Sequence, residues 1–124
     1  MTSPDLVHWQ NHGLALAPDT EYDSHGAYSG SARVIDDRLF LMYTGNHRDA
    51  DWQRTPYQLG AWLDKQNQVA KLDQPLFVNP DHISEHFRDP QLLKHNLPLP
   101  LACLPCREPI LIPAVISLFR LSCQ

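Results

Sequence analysis

Along the first 90 residues, apolar side chains fall in short runs separated by turn-forming residues, and none repeats at the spacing of an amphipathic helix. Residues 29–35 are small or β-branched and end on Val34-Ile35. Asp36-Asp37-Arg38 is a turn signal, and Leu39-Phe40-Leu41-Met42-Tyr43-Thr44 is a compact apolar run closed by Gly45-Asn46. Two such runs around a three-residue acidic turn predict a β-hairpin. A helix over 39–43 alone would be too short to stand. The polar stretch from Asn46 to Pro56 predicts a long loop, and Tyr57-Gln58-Leu59-Gly60-Ala61-Trp62-Leu63 a third strand. Asp64-Lys65-Gln66-Asn67 predicts a turn and Val69-Ala70-Lys71-Leu72 a weaker fourth strand. Strands at about ten-residue spacing predict an all-β meander, for which a sandwich, a barrel and a propeller blade all fit. Four strands with two faces to cover do not easily make an independent protein, and an isolated blade would expose apolar faces and strand edges.

Composition then divides the chain near residue 90. Residues 91–124 lose every Trp, Tyr, Gly and Asp and gain Leu, Ile, Pro and Cys. Pro105, Pro109 and Pro113 argue against a helix in this tail. Cys103, Cys106 and Cys123 are odd in number and crowded at one end, which does not read as a disulfide framework, and the lone Cys103-Leu104-Pro105-Cys106 has no second pair to complete a zinc site. A net charge of -4 with no basic block gives no reason to expect nucleic acid or an anionic membrane as partner. The opening residues carry Asp5, His8 and Asp19 without an apolar core between them, so neither a secretory signal nor a membrane span is predicted and the expected location is cytoplasmic. The seven histidines include no His-x-x-x-His pair beside an acidic ligand, and neither a metal nor another cofactor is expected.

Three segments, in order, carry a family resemblance over residues 3–90. Ser3-Pro4-Asp5-Leu6-Val7-His8-Trp9, followed by Leu14-Ala15-Leu16-Ala17-Pro18-Asp19, is similar to an S-x-D-L-V-H-W and A-L-A-P-D stretch. Tyr28-Ser29-Gly30-Ser31-Ala32 is similar to [FY]-S-G-S-A, and His86-Phe87-Arg88-Asp89-Pro90 to H-F-R-D-P. Tyr43-Thr44-Gly45-Asn46 matches a Y-T-G-N between them. Each alone is weak, but together they resemble glycoside hydrolase family 32, the β-fructofuranosidases that include invertases and sucrose-6-phosphate hydrolases.

The resemblance implies an all-β, five-bladed β-propeller, of which this chain would hold about one blade plus flanking strands, with an irregular C-terminal tail. It divides the chain into a propeller fragment over residues 1–91 and a non-family tail over 92–124, frameshifted or disordered. It implies hydrolysis of terminal β-D-fructofuranosides such as sucrose or sucrose 6-phosphate, with one carboxylate attacking the anomeric carbon and a second protonating the leaving oxygen.

By the same resemblance, Asp89 is the third carboxylate, the transition-state stabiliser, and Tyr28, Ser29, Arg88 and Asp89 bind substrate. The chemistry suits them. An ionised Asp accepts two hydrogen bonds from adjacent sugar hydroxyls, and these strengthen as the ring becomes oxocarbenium-like. Arg88 beside it favours the ionised form and can donate to sugar oxygens. An aromatic face at Tyr28 packs on the apolar side of a sugar, and the Ser29 hydroxyl bonds its polar edge. In an extended strand Arg88 and Asp89 would face opposite ways, so a shared pocket needs a local bend, and Pro90 is expected to hold Asp89 extended. Trp9 and Trp62 are expected in the core.

The nucleophile's W-M-N-D-P-N-G and the acid/base's E-C-P motifs do not occur here, so the chain alone is expected to be an inactive fragment. The alternatives are a non-catalytic sugar-binding remnant, one that works with complementary fragments of the same propeller, or the functionless product of a disrupted gene.

Overall fold

The computed structural model describes residues 1–79 and 86–92, together with backbone pairing at 102–103 and 110–111. All its regular elements are strands: β1 (Ala27–Ile35), β2 (Arg38–Arg48), β3 (Arg54–Leu63), β4 (Val69–Lys71) and β5 (Phe77–Val78), then β6 (Ala102–Cys103) and β7 (Ile110–Leu111). The first five form one antiparallel sheet in the order β1-β2-β3-β4, with β5 also on β3. β6 and β7 pair with each other. The fate of the predicted tail otherwise lies outside the described residues. Among those described, no helix is long and apolar enough to cross a membrane.

The hairpin forms where the sequence places it, with a tighter turn. Ile35 pairs directly with Arg38, leaving two loop residues, Asp36 and Asp37, at φ 46° and 61°. Both lie in the left-handed region, the geometry whose twist matches a two-residue hairpin and which Asp tolerates better than most residues.

The predicted long loop from Asn46 to Pro56 is mostly strand. β2 runs to Arg48 and β3 begins at Arg54, so only residues 49–53 connect them. Pro56 fits because its partner Asn46 sends its own N–H and C=O to Gly26 and His25 on the other side. Asn46 and Pro56 thus face each other as a non-hydrogen-bonded pair, and the ladder needs no donor from Pro56.

Residues 49–53 and 64–68 use the same turn. Asp49 Oδ1 accepts from the amides of Asp51 (3.0 Å) and Gln53 (2.8 Å), and Asp64 Oδ1 from those of Gln66 (2.9 Å) and Gln68 (2.8 Å). Each turn carries a left-handed residue, Trp52 or Asn67. The carboxylate satisfies amides that would otherwise face solvent, which is why a short acidic stretch suffices to reverse the chain.

The fourth strand is broken. β4 pairs with residues 61–63 of β3 and β5 with residues 57–58, and between them the Leu72 and Leu76 amides bond the Gly60 and Gln58 carbonyls at 2.9 and 2.8 Å. The segment therefore follows the edge of β3 with an excursion over residues 73–75.

Both faces of the sheet are apolar. On one, Phe40 and Met42 are buried with Ile35, Trp62, Leu72, Leu76, Phe77 and Leu92 against them. On the other, Tyr43, Leu59 and Ala61 are covered by Leu16, Tyr22 and Ala27 among others. The unbroken apolar run of β2 records this burial on two sides. Gly45 is required on the second face, since a Cβ there would lie 2.6 Å from the Tyr22 carbonyl oxygen and 2.5 Å from Leu59. Trp62 packs on Phe40 at 4.7 Å, in the core as expected, whereas Trp9 is 54% exposed and stacks on nothing in the sheet.

Candidate sugar-binding site

The segment from Phe87 to Leu92 crosses the sheet and is pinned to three strands in turn. The Phe87 carbonyl accepts from Gln58 Nε2 on β3 at 3.0 Å. The Asp89 amide donates to Thr44 Oγ1 on β2 at 3.1 Å, and the Leu92 amide to Ser31 Oγ on β1 at 2.8 Å. Phe87 and Pro90, three residues apart, are buried and act as apolar feet on either side of the half-exposed Arg88 and Asp89.

Asp89 is not extended, as the residue before a proline is expected to be. Its φ is 59°, in the left-handed region. This turn aims the amide into the sheet toward Thr44 and supplies the local bend. Arg88 Nε and Asp89 Oδ2 are 3.7 Å apart, with the side chains 47% and 48% exposed. The two charges sit on one rim with their heads open to solvent and their backbone fixed.

Tyr28 is the second residue of β1 and is exposed. It pairs directly with Thr44, which pairs directly with Gln58, so the three form one row across one face of the sheet. Thr44 is thus the link between Tyr28, its neighbour in the sheet, and Asp89, whose amide it holds. The guanidinium of Arg54 lies 5.4 Å from the Tyr28 ring centre, within cation–π range.

Ser29 is the extra residue of a β-bulge. Tyr28 pairs with Thr44 and Gly30 with Tyr43, which leaves Ser29 without an opposite number on β2. Such bulges re-aim a side chain at the end of a strand. Gly30 makes the bulge feasible, because a Cβ there would meet the Met42 carbonyl oxygen at 1.9 Å. Of the residues expected at the site, Arg88 and Asp89 are therefore in direct contact, Tyr28 is one residue away through Thr44, and Ser29 adjoins Tyr28 only along the chain.

The sequence did not single out Gln58 or, beyond its motif, Thr44, although both are fully buried. Thr44 Oγ1 donates to Gln58 Oε1 at 3.1 Å, extending the contacts at Asp89 and Phe87 into a continuous chain. A glutamine inside the apolar run of β3 is the signal that could have found it, because a buried amide must have partners.

A second polar cluster lies on the opposite face. Asp23, wholly buried, accepts from Lys71 Nζ (2.6 Å), Tyr43 OH (3.0 Å) and both the backbone amide and the hydroxyl of Thr20. Lys71 also reaches Asp19 Oδ1 at 2.6 Å and the Ala17 carbonyl. Burial pushes the Asp23 carboxyl up, but the hydrogen bonds from Lys71, Thr20 and Tyr43 outweigh it and leave the group below its ordinary value. Burial and the Asp23 carboxylate push the Tyr43 hydroxyl up to about 12. Among the described residues, no group of three or more His, Cys, Asp or Glu side chains is placed to hold a metal ion.

Comparison with known proteins places these features. Residues 1–98 match the model of the glycosyl hydrolases family 32 N-terminal domain. The chain is 56% identical over 97 residues to the sucrose-6-phosphate hydrolase of Pediococcus pentosaceus, covering 77% of this chain and 19% of that protein. It is 56% identical over 94 residues to the enzyme of the same name from Lactococcus lactis subsp. lactis, covering 74% and 20%. The solved sucrose-6-phosphate hydrolase of Lactobacillus gasseri superposes with a TM-score of 0.73 at 50% identity, over 84% of this chain and 22% of that one. The chain thus spans about a fifth of the length of these relatives. With its all-β blade and its motifs in family order, the chain belongs to glycosyl hydrolase family 32 and matches part of the family's N-terminal β-propeller domain.

Proposed function

We propose that this chain carries the sugar-gripping rim of a β-fructofuranosidase acting on terminal β-D-fructofuranosides such as sucrose or sucrose 6-phosphate. The observation that supports this most directly is the placement of Asp89. Its backbone is anchored on Thr44 beside Tyr28, while half of its side chain remains open to a ligand. The carboxylate accepts hydrogen bonds from adjacent ring hydroxyls, and those bonds tighten as positive charge develops on the fructosyl ring. Arg88 faces the same rim and donates to sugar oxygens, Tyr28 offers a flat apolar surface, and Ser29 a hydroxyl.

The nucleophile and the acid/base group belong to motifs that this chain lacks, so by itself it grips a fructosyl unit without cleaving it. Residues 1–91 then lie in the propeller fragment, and a tail outside the family pattern begins after the matched stretch ends at residue 98. Cleavage, in the cytoplasm, requires complementary parts of the same propeller. The exposed apolar side chains of Leu6, Val7, Trp9 and Leu14 support such a dependence.

Two measurements test this. The purified chain should release no fructose from sucrose or sucrose 6-phosphate. Fructose should raise its thermal transition in a concentration-dependent manner, as any ligand selective for the native state does, and Asp89→Asn should abolish that rise. A transition that fructose leaves unmoved would remove the sugar-binding role.

A further inference from the structure

Asp89 adopts a conformation that its sequence context disfavours. A residue before proline is pushed toward extended geometry, and a left-handed non-glycine residue there persists only where its surroundings dictate it. We infer that Thr44 and Gln58 are positioning residues that hold Asp89 in its left-handed turn, so that its carboxylate is presented to the sugar at a fixed angle. The inference rests on the sugar-gripping role proposed for Asp89.

The hydrogen bonds have one consistent direction. A hydroxyl has a single proton to give, and Thr44 gives it to Gln58 Oε1 at 3.1 Å. A lone pair of Thr44 Oγ1 is therefore available to the Asp89 amide at 3.1 Å. Gln58 is oriented at both ends, because its Nε2 must donate to the Phe87 carbonyl at 3.0 Å. Flipping the amide would set its NH2 against the Thr44 proton and its oxygen against the Phe87 oxygen. The chain from Asp89 through Thr44 and Gln58 back to Phe87 therefore closes a loop around Arg88. Thr44 and Gln58 are 0% and 1% exposed, so no water competes for these bonds, and a buried amide or hydroxyl deprived of its partner is costly. The Leu92 amide on Ser31 fixes the far end of the same segment. The Arg88 and Asp89 side chains stay outside this confinement, each about half exposed.

Thr44→Val keeps the shape of the side chain and removes both halves of its hydrogen bonding, while Thr44→Ser keeps them. Amide hydrogen exchange at Asp89, read by NMR on the full chain, should quicken by about tenfold or more in Thr44→Val and return toward the native rate in Thr44→Ser. The dissociation constant for fructose, measured well below the unfolding transition, should rise by about tenfold in Thr44→Val and recover in Thr44→Ser. A merely structural threonine would lower the melting temperature and leave that constant unchanged. Native exchange at Asp89 in Thr44→Val, or native fructose affinity in that variant, would overturn the inference. If the unaltered chain fails to bind fructose, the sugar-gripping reading is what fails, while the exchange measurement still decides whether Thr44 holds the turn. Should valine at 44 prevent folding, Gln58→Met breaks the relay one bond further away and is judged by the same two readouts.

Discussion

The two faces of the sheet each bury a polar network, and the networks differ in kind. On the Tyr43 face the network is charged: Asp23, Lys71 and Asp19, with Tyr43 and Thr20 completing it. It ties the segment carrying residues 17–23 to β2 and β4, and among the described residues none of its bonds reaches the Asp89 rim. On the Met42 face the network is neutral: Thr44, Gln58 and the backbone of Phe87 and Asp89. Among the described residues, the charges beside it are the Arg88 and Asp89 heads at the rim and the Arg54 guanidinium over Tyr28. A charged pair can clamp two segments strongly but makes them sensitive to protons. A neutral relay exerts less force and contains no group that gains or loses a proton over the ordinary pH range. The first ties chain segments together, and the second fixes the backbone that carries Arg88 and Asp89.

Removing one member of the charged network should have the largest effect. Lys71→Met leaves Asp23 buried without its counter-ion, and urea denaturation should show a loss of about 3–5 kcal/mol. The pH profile follows from the signs. Asp23 lies below its ordinary 3.8 in the folded chain, so its contribution is present above that value and is lost as pH falls through the folded pKa. Lys71 is held above its ordinary 10.5 by hydrogen bonds to Asp19 and Asp23, which overcome the opposing effect of burial. Its contribution is complete below 10.5 and lost as pH rises through the folded value. Between about pH 4 and 10 this clamp should therefore give a flat stability profile with a fall on each side. In Lys71→Met, Asp23 loses one of the hydrogen bonds that oppose burial, so its carboxyl rises and the deficit should shrink as the solution is acidified.

Gln58→Leu should come next, with a loss of about 1–3 kcal/mol from stranding the Thr44 hydroxyl and the Phe87 carbonyl. That loss should be the same at pH 5 and pH 9, and a pH-dependent loss would erase the distinction between the two networks. The smallest change should come from Asp37→Gly, which touches neither. It relieves one left-handed non-glycine residue in the hairpin turn, and should shift stability by about half a kcal/mol or less once the extra freedom of glycine in the unfolded chain is counted. Fructose affinity should follow Gln58→Leu and ignore Asp37→Gly.

Much of this architecture is legible in the sequence because it depends on local pattern. The hairpin, the third strand and the start of the fourth follow from apolar runs and turn residues. The loop from Asn46 to Pro56 was misjudged because polarity along a chain reports exposure only on average. Asn46 is buried, donating to the His25 carbonyl and accepting from Arg54, and Arg48 lies against Trp52. Strand geometry there is maintained by polar contacts that a hydrophobic pattern cannot register. Motifs pointed to Tyr28, Ser29, Arg88 and Asp89. They could not reveal that Ser29 sits in a bulge, that Asp89 is left-handed, or that Gln58 underlies both strands of the relay, since these are matters of register between distant segments. Trp9 was expected inside and lies outside, with its indole N–H on the Leu6 carbonyl of its own loop.

The opening loop carries a practical consequence. Residues 2 and 10 are bridged by paired backbone hydrogen bonds, and Asp5 accepts from the Val7 and His8 amides, so the loop is ordered rather than frayed. Yet it turns Leu6, Val7, Trp9 and Leu14 outward. A rigid oily surface of this kind should take up the dye ANS in a fully folded sample and draw molecules together at high concentration. Dye uptake, usually a symptom of loosened packing, would here accompany an intact fold.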